Sequence, residues 1–212
     1  MAKKKPMTKR RQAEQAEKEK KAKTKKIIIV TSIVASIILL TLGIILVATC
    51  GKDGNTPQPT TATIDVANYG TIEIKLNSEN APKTVENFIK LAEKGFYNNK
   101  SFDSINNGSL SAGSDTKNEC ASIYGEFKKN GYSDNTISHK KGVISMNRGD
   151  DYNSASSSFF ILTEDKAEYD GLFAAFGEVV SGMEIVEKIA SDMEANPEKT
   201  APIITLVSIT RK

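Results

Sequence analysis

Residues 62–212 predict a mainly β fold, a closed antiparallel barrel of about eight strands with two capping helices, preceded by a single transmembrane helix. Three observations carry this. Residues 142–177 hold the short apolar runs G-V-I-S-M, S-S-F-F-I-L and Y-D-G-L-F-A-A-F-G, separated by Gly, Asp, Asn and Ser, the texture of successive strands in a small closed sheet. Only two stretches of residues 62–212 carry apolar residues at helical spacing. Ahead of it stand 22 uncharged residues, 27–48, dominated by Ile, Leu and Val.

Taken in order, residues 1–26 hold 12 basic against 3 acidic side chains, a net charge of +9, with almost no large apolar group. Such a segment buries no core and reads as a solvated cytoplasmic tail. Residues 27–49 follow as the transmembrane helix, since 22 residues at about 1.5 Å each span the roughly 30 Å of hydrocarbon. A buried core helix would be shorter and would show a polar face. The lysines just before Ile27 keep that end cytoplasmic, so the remainder is expected outside the cell membrane. That remainder carries 17 basic and 23 acidic residues, a net of −6, so the overall +3 hides two oppositely charged parts. Anionic lipid headgroups are the partners expected of the tail, the membrane itself that of residues 27–49. No aromatic residue is interleaved with the basic ones, which argues against nucleic acid.

Val47, Ala48, Thr49 and Cys50 are similar to a lipoprotein processing site, although Thr49 departs from the usual small residue and the apolar run is long for a cleaved signal. An uncleaved anchor and a lipidated Cys50 both leave the domain tethered to the membrane. Cys120, 70 residues away in an expected loop, reads as a lone thiol. Residues 50–61, G-K-D-G-N-T-P-Q-P-T-T after the cysteine, form a flexible linker.

Strands begin where alternation begins. Ile64 and Val66, then Ile72, Ile74 and Leu76, alternate with polar partners about a turn at 68–70, predicting a hairpin. Pro82 opens a helix whose stripe is Val85, Phe88, Ile89 and Ala92, and Gly95 closes it. Short strands are expected at 101–105 and 110–112 about a turn at 106–108, then a polar loop over 113–141. Further strands are expected at 143–146, 159–162 and 172–176, a second helix at 182–191 and a last strand at 203–209.

The run A-P-K-T-V-E-N-F-I-K-L-A-E-K-G-F-Y, the segments S-I-Y-G-E-F and I-S-H-K-K-G, and the three runs of residues 142–177 together resemble the cyclophilin family of peptidyl-prolyl cis-trans isomerases, over roughly residues 63–210. The resemblance implies a proline-binding groove on the barrel. Rotation about an X-Pro bond faces a barrier of about 18–20 kcal/mol and takes tens to hundreds of seconds unaided. A catalyst must seat the proline ring in an apolar pocket, grip the flanking backbone and place a donor near the twisted amide. No metal or cofactor is needed for this.

In cyclophilins an arginine in the motif F-H-R-V supplies the donor. The matching residues here are Phe102, Asp103, Ser104 and Ile105, so Ser104 stands at the arginine position. The family's F-M-I-Q-G-G becomes residues 109–114, which brings Leu110 and Ala112 to substrate-binding positions. S-Q-F-F-I becomes residues 157–161, bringing Ser158 and Phe160. Tyr169 and Phe173 fall on pocket positions beside the D-G turn, and Asn147 and Arg148 on the strand edge that grips substrate. The expected substrate-binding set is thus Phe102, Leu110, Ala112, Asn147, Ser158, Phe160, Tyr169 and Phe173. Ser104 is a weakened catalytic residue with Arg148 as its candidate substitute.

Two functions compete on this sequence. One is an anchored prolyl isomerase of reduced activity that helps exported, proline-containing polypeptides fold. The other is a module or chaperone that binds the same segments without turning them over. A serine hydrolase built on His139 and the serines of 154–158 lacks a G-x-S-x-G elbow. His139 is expected instead to cap a loop before Lys140 and Lys141. A single histidine and two distant cysteines make no metal site.

Overall fold

In the computed structural model, residues 60–117, 119–197 and 200–211 are described. The expected basic tail, the expected transmembrane helix and most of the expected linker lie outside these residues. Among the described residues no helix is long and apolar enough to cross a membrane.

Eight strands form one antiparallel sheet. In chain order they are β1 (Thr60–Val66), β2 (Gly70–Leu76), β3 (Phe102–Asn106), β4 (Ser109–Ala112), β5 (Val143–Met146), β6 (Phe159–Leu162), β7 (Ala175–Ser181) and β8 (Ile204–Arg211). Two helices, α1 (Pro82–Glu93) and α2 (Met183–Ala195), complete the fold. The strand order is β3-β4-β6-β5-β7-β2-β1-β8.

The sheet curls into a half-barrel, which corrects the expected full closure. Its end strands β3 and β8 share no ladder, and the seam is a single bridge between Ser101 and Ile203. It is reinforced by the Phe102 N–H on Pro202 O at 2.9 Å and the Ile204 N–H on Lys100 O at 2.7 Å. Two boundaries also shift. Thr60 and Thr61, assigned to the linker, already pair with Leu76 and Lys75 of β2. The strand expected at 172–176 runs instead over Ala175–Ser181, because Glu178 and Val179 pair with β2 despite the polar residues that punctuate the sequence there.

The hairpins follow their turn residues. Between β3 and β4, Asn107 (φ 47°) and Gly108 (φ 69°) both take positive φ, the two-residue turn whose twist matches the flanking strands. Helix α1 buries Thr84, Val85, Phe88 and Ala92, with Ile89 half-buried. It ends as expected at Gly95 (φ 69°), where the Phe96 N–H reaches Leu91 O and the Gly95 N–H reaches Ala92 O, both at 2.9 Å. Its first turn starts after Ala81, which offers no capping side chain. The buried carboxylate of Glu126 does that work from a distant loop, accepting from Lys83 N (3.0 Å), Thr84 N (2.8 Å) and Thr84 Oγ1 (2.7 Å). An anion there also complements the helix dipole.

Strands β5 and β6 are buried on both faces. Ile144, Met146, Phe159 and Ile161 turn toward the main core, where Phe88, Tyr97, Phe102 and Phe176 also sit. Val143, Phe160 and Leu162 turn the other way and form, with Ala175, a second cluster partly covered by Ile137, Tyr169 and Phe173. This second cluster is the floor on which a site is built.

Candidate functional site

Next to the second cluster lies a groove of about 590 Å³ whose lining includes Phe160, Tyr169 and Phe173 on one side and Asp103, Ser104, Ser109 and Ser111 on the other. The aromatic side is a cage. Phe160 meets Phe173 edge-on at 5.5 Å and Tyr169 edge-on at 5.9 Å, and Tyr169 and Phe173 lie 5.1 Å apart. Phe160 is only 2 % exposed, so it serves as floor while the two half-buried rings serve as walls.

That cage is held from beneath. His139 lies under Phe160 with its ring nearly parallel, 6.5 Å between centroids, and touches the edge of Tyr169 at 6.1 Å. Its Nδ1 is 3.1 Å from Asp170 Oδ1 and its Nε2 is 3.2 Å from Ser145 Oγ, while its backbone N–H donates to the same Asp170 oxygen at 2.7 Å. Burial holds its pKa below the usual histidine range, and the Asp170 hydrogen bond and charge oppose that shift. The histidine is therefore a buried neutral strut, not the loop cap expected. Its serine partner does not revive a hydrolase, because Ser145 is fully buried within β5 and no substrate carbonyl can reach its hydroxyl.

The polar side comes from the β3–β4 hairpin. Ser104 and Ser111 are cross-strand partners, and both hydroxyls face the groove. Asn147 binds this wall to the next strand, donating from Nδ2 to Ser111 Oγ (3.2 Å), Ser158 Oγ (3.1 Å) and Phe159 O (3.3 Å). Ser158 Oγ donates in turn to Ala112 O at 3.3 Å.

Of the expected site residues, Ser104, Asn147, Ser158, Phe160, Tyr169 and Phe173 come together in this groove. Phe102, Leu110 and Ala112 do not; each is fully buried in the main core. The cause is the period of two along β4, which turns Leu110 and Ala112 inward and Ser109 and Ser111 outward. That alternation is visible in the sequence, and applied to S-L-S-A it identifies the two serines that motif matching passed over.

Arg148 is pinned outside the groove that Ser104 lines. Its Nε donates to Leu172 O at 3.1 Å and its Nη1 to Gly149 O at 2.8 Å. The guanidinium is boxed by Phe127 (5.2 Å), Tyr152 (4.9 Å) and the outer side of Phe173 (4.9 Å). It does not line the groove, and the lining contains no Lys or Arg. Cys120, half-buried, is a free thiol outside the groove, its pKa raised by burial and by Asp115.

A family model described as cyclophilin type peptidyl-prolyl cis-trans isomerase/CLD matches residues 61–211. The chain belongs to the cyclophilin family. Among relatives of this cyclophilin is peptidyl-prolyl cis-trans isomerase A of Dickeya dadantii, 33% identical over 132 residues that cover 60% of this chain and 70% of the relative. Peptidyl-prolyl cis-trans isomerase B of Escherichia coli is 31% identical over 130 residues, 58% of this chain and 79% of the other. The peptidyl-prolyl cis-trans isomerase-like 2 of Rhizopus delemar is 34% identical over 145 residues, 65% of this chain, and the match spans only 27% of that longer protein. A cyclophilin type isomerase of Cryptosporidium parvum has the same fold, with a TM-score of 0.61 at 22% identity over 73% of this chain and 99% of the other. That protein has also been crystallised in the presence of the dipeptide Ala-Pro, and this second structure matches with a TM-score of 0.59 at 21% identity, covering 72% of this chain and 99% of that one.

Proposed function

We propose that this cyclophilin holds proline-containing segments of exported polypeptides in its groove and isomerises their X-Pro bonds at a reduced rate, on the outer face of the membrane that residues 27–49 span. One observation carries the reading: a three-ring aromatic cage faces Ser104 across a groove whose lining holds no Lys or Arg. Phe160, Tyr169 and Phe173 remove water from the proline ring and from the amide joined to it. Desolvation strengthens any hydrogen bond made to the twisting amide. The donors on the facing wall are the neutral hydroxyls of Ser104 and Ser111, shorter and weaker than a guanidinium. Loss of one preorganised donor costs a factor of about 100 to 1,000 in rate.

The pinning of Arg148 favours the second reading, a groove that binds without turnover. Both readings separate in one experiment on the full chain in uncharged detergent. Proline-peptide binding is measured by fluorescence anisotropy and cis–trans turnover by exchange NMR. Binding with measurable exchange supports the slow isomerase, binding without exchange the module, and absence of binding discards both. The orientation is tested separately: protease added outside intact cells should remove the folded domain and spare the basic tail, and a protected domain would refute it.

A further inference from the structure

We infer that Asp103 makes the groove selective for peptides bearing a cationic side chain two residues from the proline, an inference that rests on the peptide-binding reading above. The register of β3 on β4 slips between Phe102 and Ser104, so Asp103 is the extra residue of a bulge. A bulge re-aims a side chain, and here Asp103 and Ser104 are both exposed in succession where strict alternation would expose only one. Both line the groove.

The carboxylate is held there on one oxygen and open on the other. Oδ2 accepts from Ser114 Oγ at 2.6 Å and from Ser114 N at 3.2 Å, whereas Oδ1 has only a long 3.4 Å contact from Ser101 Oγ. Among the described residues, no Lys or Arg pairs with it. The cations nearest the groove are committed elsewhere: Lys166 to Glu164, Glu168 and the Asn107 side chain, Lys100 to Ser114 O and the Phe96 ring, and Arg148 to its aromatic box. Of the other acids nearby, Asp170 is engaged by His139 and Asp115 by the backbone N–H groups of Lys117 and Cys120. Asp103 is thus the one charged side chain on the lining and has no ion-pair partner among the described residues, so a bound peptide supplies its counterion.

The test uses the full chain in uncharged detergent and fluorescein-labelled peptides of the form Gly-Xaa-Ala-Pro-Gly-Xaa-Gly, with Xaa Lys, Ala or Glu. Exposed ion pairs are modest, so the Lys peptide should bind about fivefold tighter than the Ala peptide, with the Glu peptide weaker still. The preference should shrink at high salt. In Asp103→Asn the Lys-to-Glu ratio should fall to near one, while Ser114→Ala, which frees the carboxylate to move, should lower the ratio partway. An Ala peptide that binds while the charge series is flat overturns the selectivity alone, as does a ratio that survives in Asp103→Asn. Failure of all three peptides to bind overturns the groove reading and the selectivity with it.

Discussion

The two walls of the groove differ in how they are attached to the protein. Phe160, Tyr169 and Phe173 continue a packed cluster between β5, β6 and β7, with His139 and Asp170 bracing it from below. Asp103, Ser104, Ser109 and Ser111 instead sit on the outer face of a hairpin whose β3 strand is a sheet edge, seamed to β8 by one bridge. The apolar wall is therefore constrained by packing, and a change there propagates into stability. The polar wall is anchored by the inward residues Phe102, Leu110 and Ala112, while its groove-facing side chains are tied only by exposed or half-buried hydrogen bonds such as Asn147 to Ser111, so its outer chemistry can change while the fold stands.

The strongest way to break this contrast is Phe160→Ala. Removing a buried aromatic floor should cost about 3–5 kcal/mol in denaturant unfolding, and a loss under about 1 kcal/mol would show that Phe160 is not shared between core and groove. Ser104→Arg should do the opposite, leaving the unfolding midpoint within a degree or two while raising kcat/KM toward proline peptides by up to about 100-fold. No gain would mean that the polar wall lacks more than one charge. Tyr169→Ala should weaken peptide binding about tenfold, read by anisotropy, since ring contacts of this kind carry about 1 kcal/mol beyond area.

The brace offers a pH test. His139 titrates lower in the fold than its ordinary 6.5, so the unfolded chain binds the proton more readily as pH falls below that value. Stability is full above about pH 6.5 and declines as pH drops toward the folded pKa. Thermal melts from pH 7.5 to 5 should therefore fall, and His139→Asn should flatten that slope. The smallest effect belongs to Arg148→Ala, whose turnover should stay within about twofold of the parent because its guanidinium is spent on Leu172 O and three rings. A tenfold drop in exchange NMR would place that arginine in the chemistry.

Much of the fold was legible because each element repeats a local pattern. Helix α1 showed its stripe, its leading Pro82 and its closing Gly95, and β5 and β6 showed short apolar runs between breakers. Strand β7 was misplaced because Gly177 and Glu178 look like a terminus locally, while their pairing with β2 is a long-range fact. The cage residues could be named from motif positions. The inward turn of Leu110 and Ala112 was equally readable from S-L-S-A, yet motif matching overrode the alternation.

By itself the sequence determined most of the strand and helix sites, though not the extent of β7, together with the charge split between residues 1–26 and the remainder and the presence of Ser104 where the family places arginine, because these depend on neighbours within a few residues. The tertiary structure decided that Arg148 is boxed, that His139 props the cage, that Glu126 caps α1 and that a bulge turns Asp103 into the groove. The first three depend on partners 24, 31 and 42 residues away, and the bulge on the register between two strands; neither leaves a periodic trace in the chain.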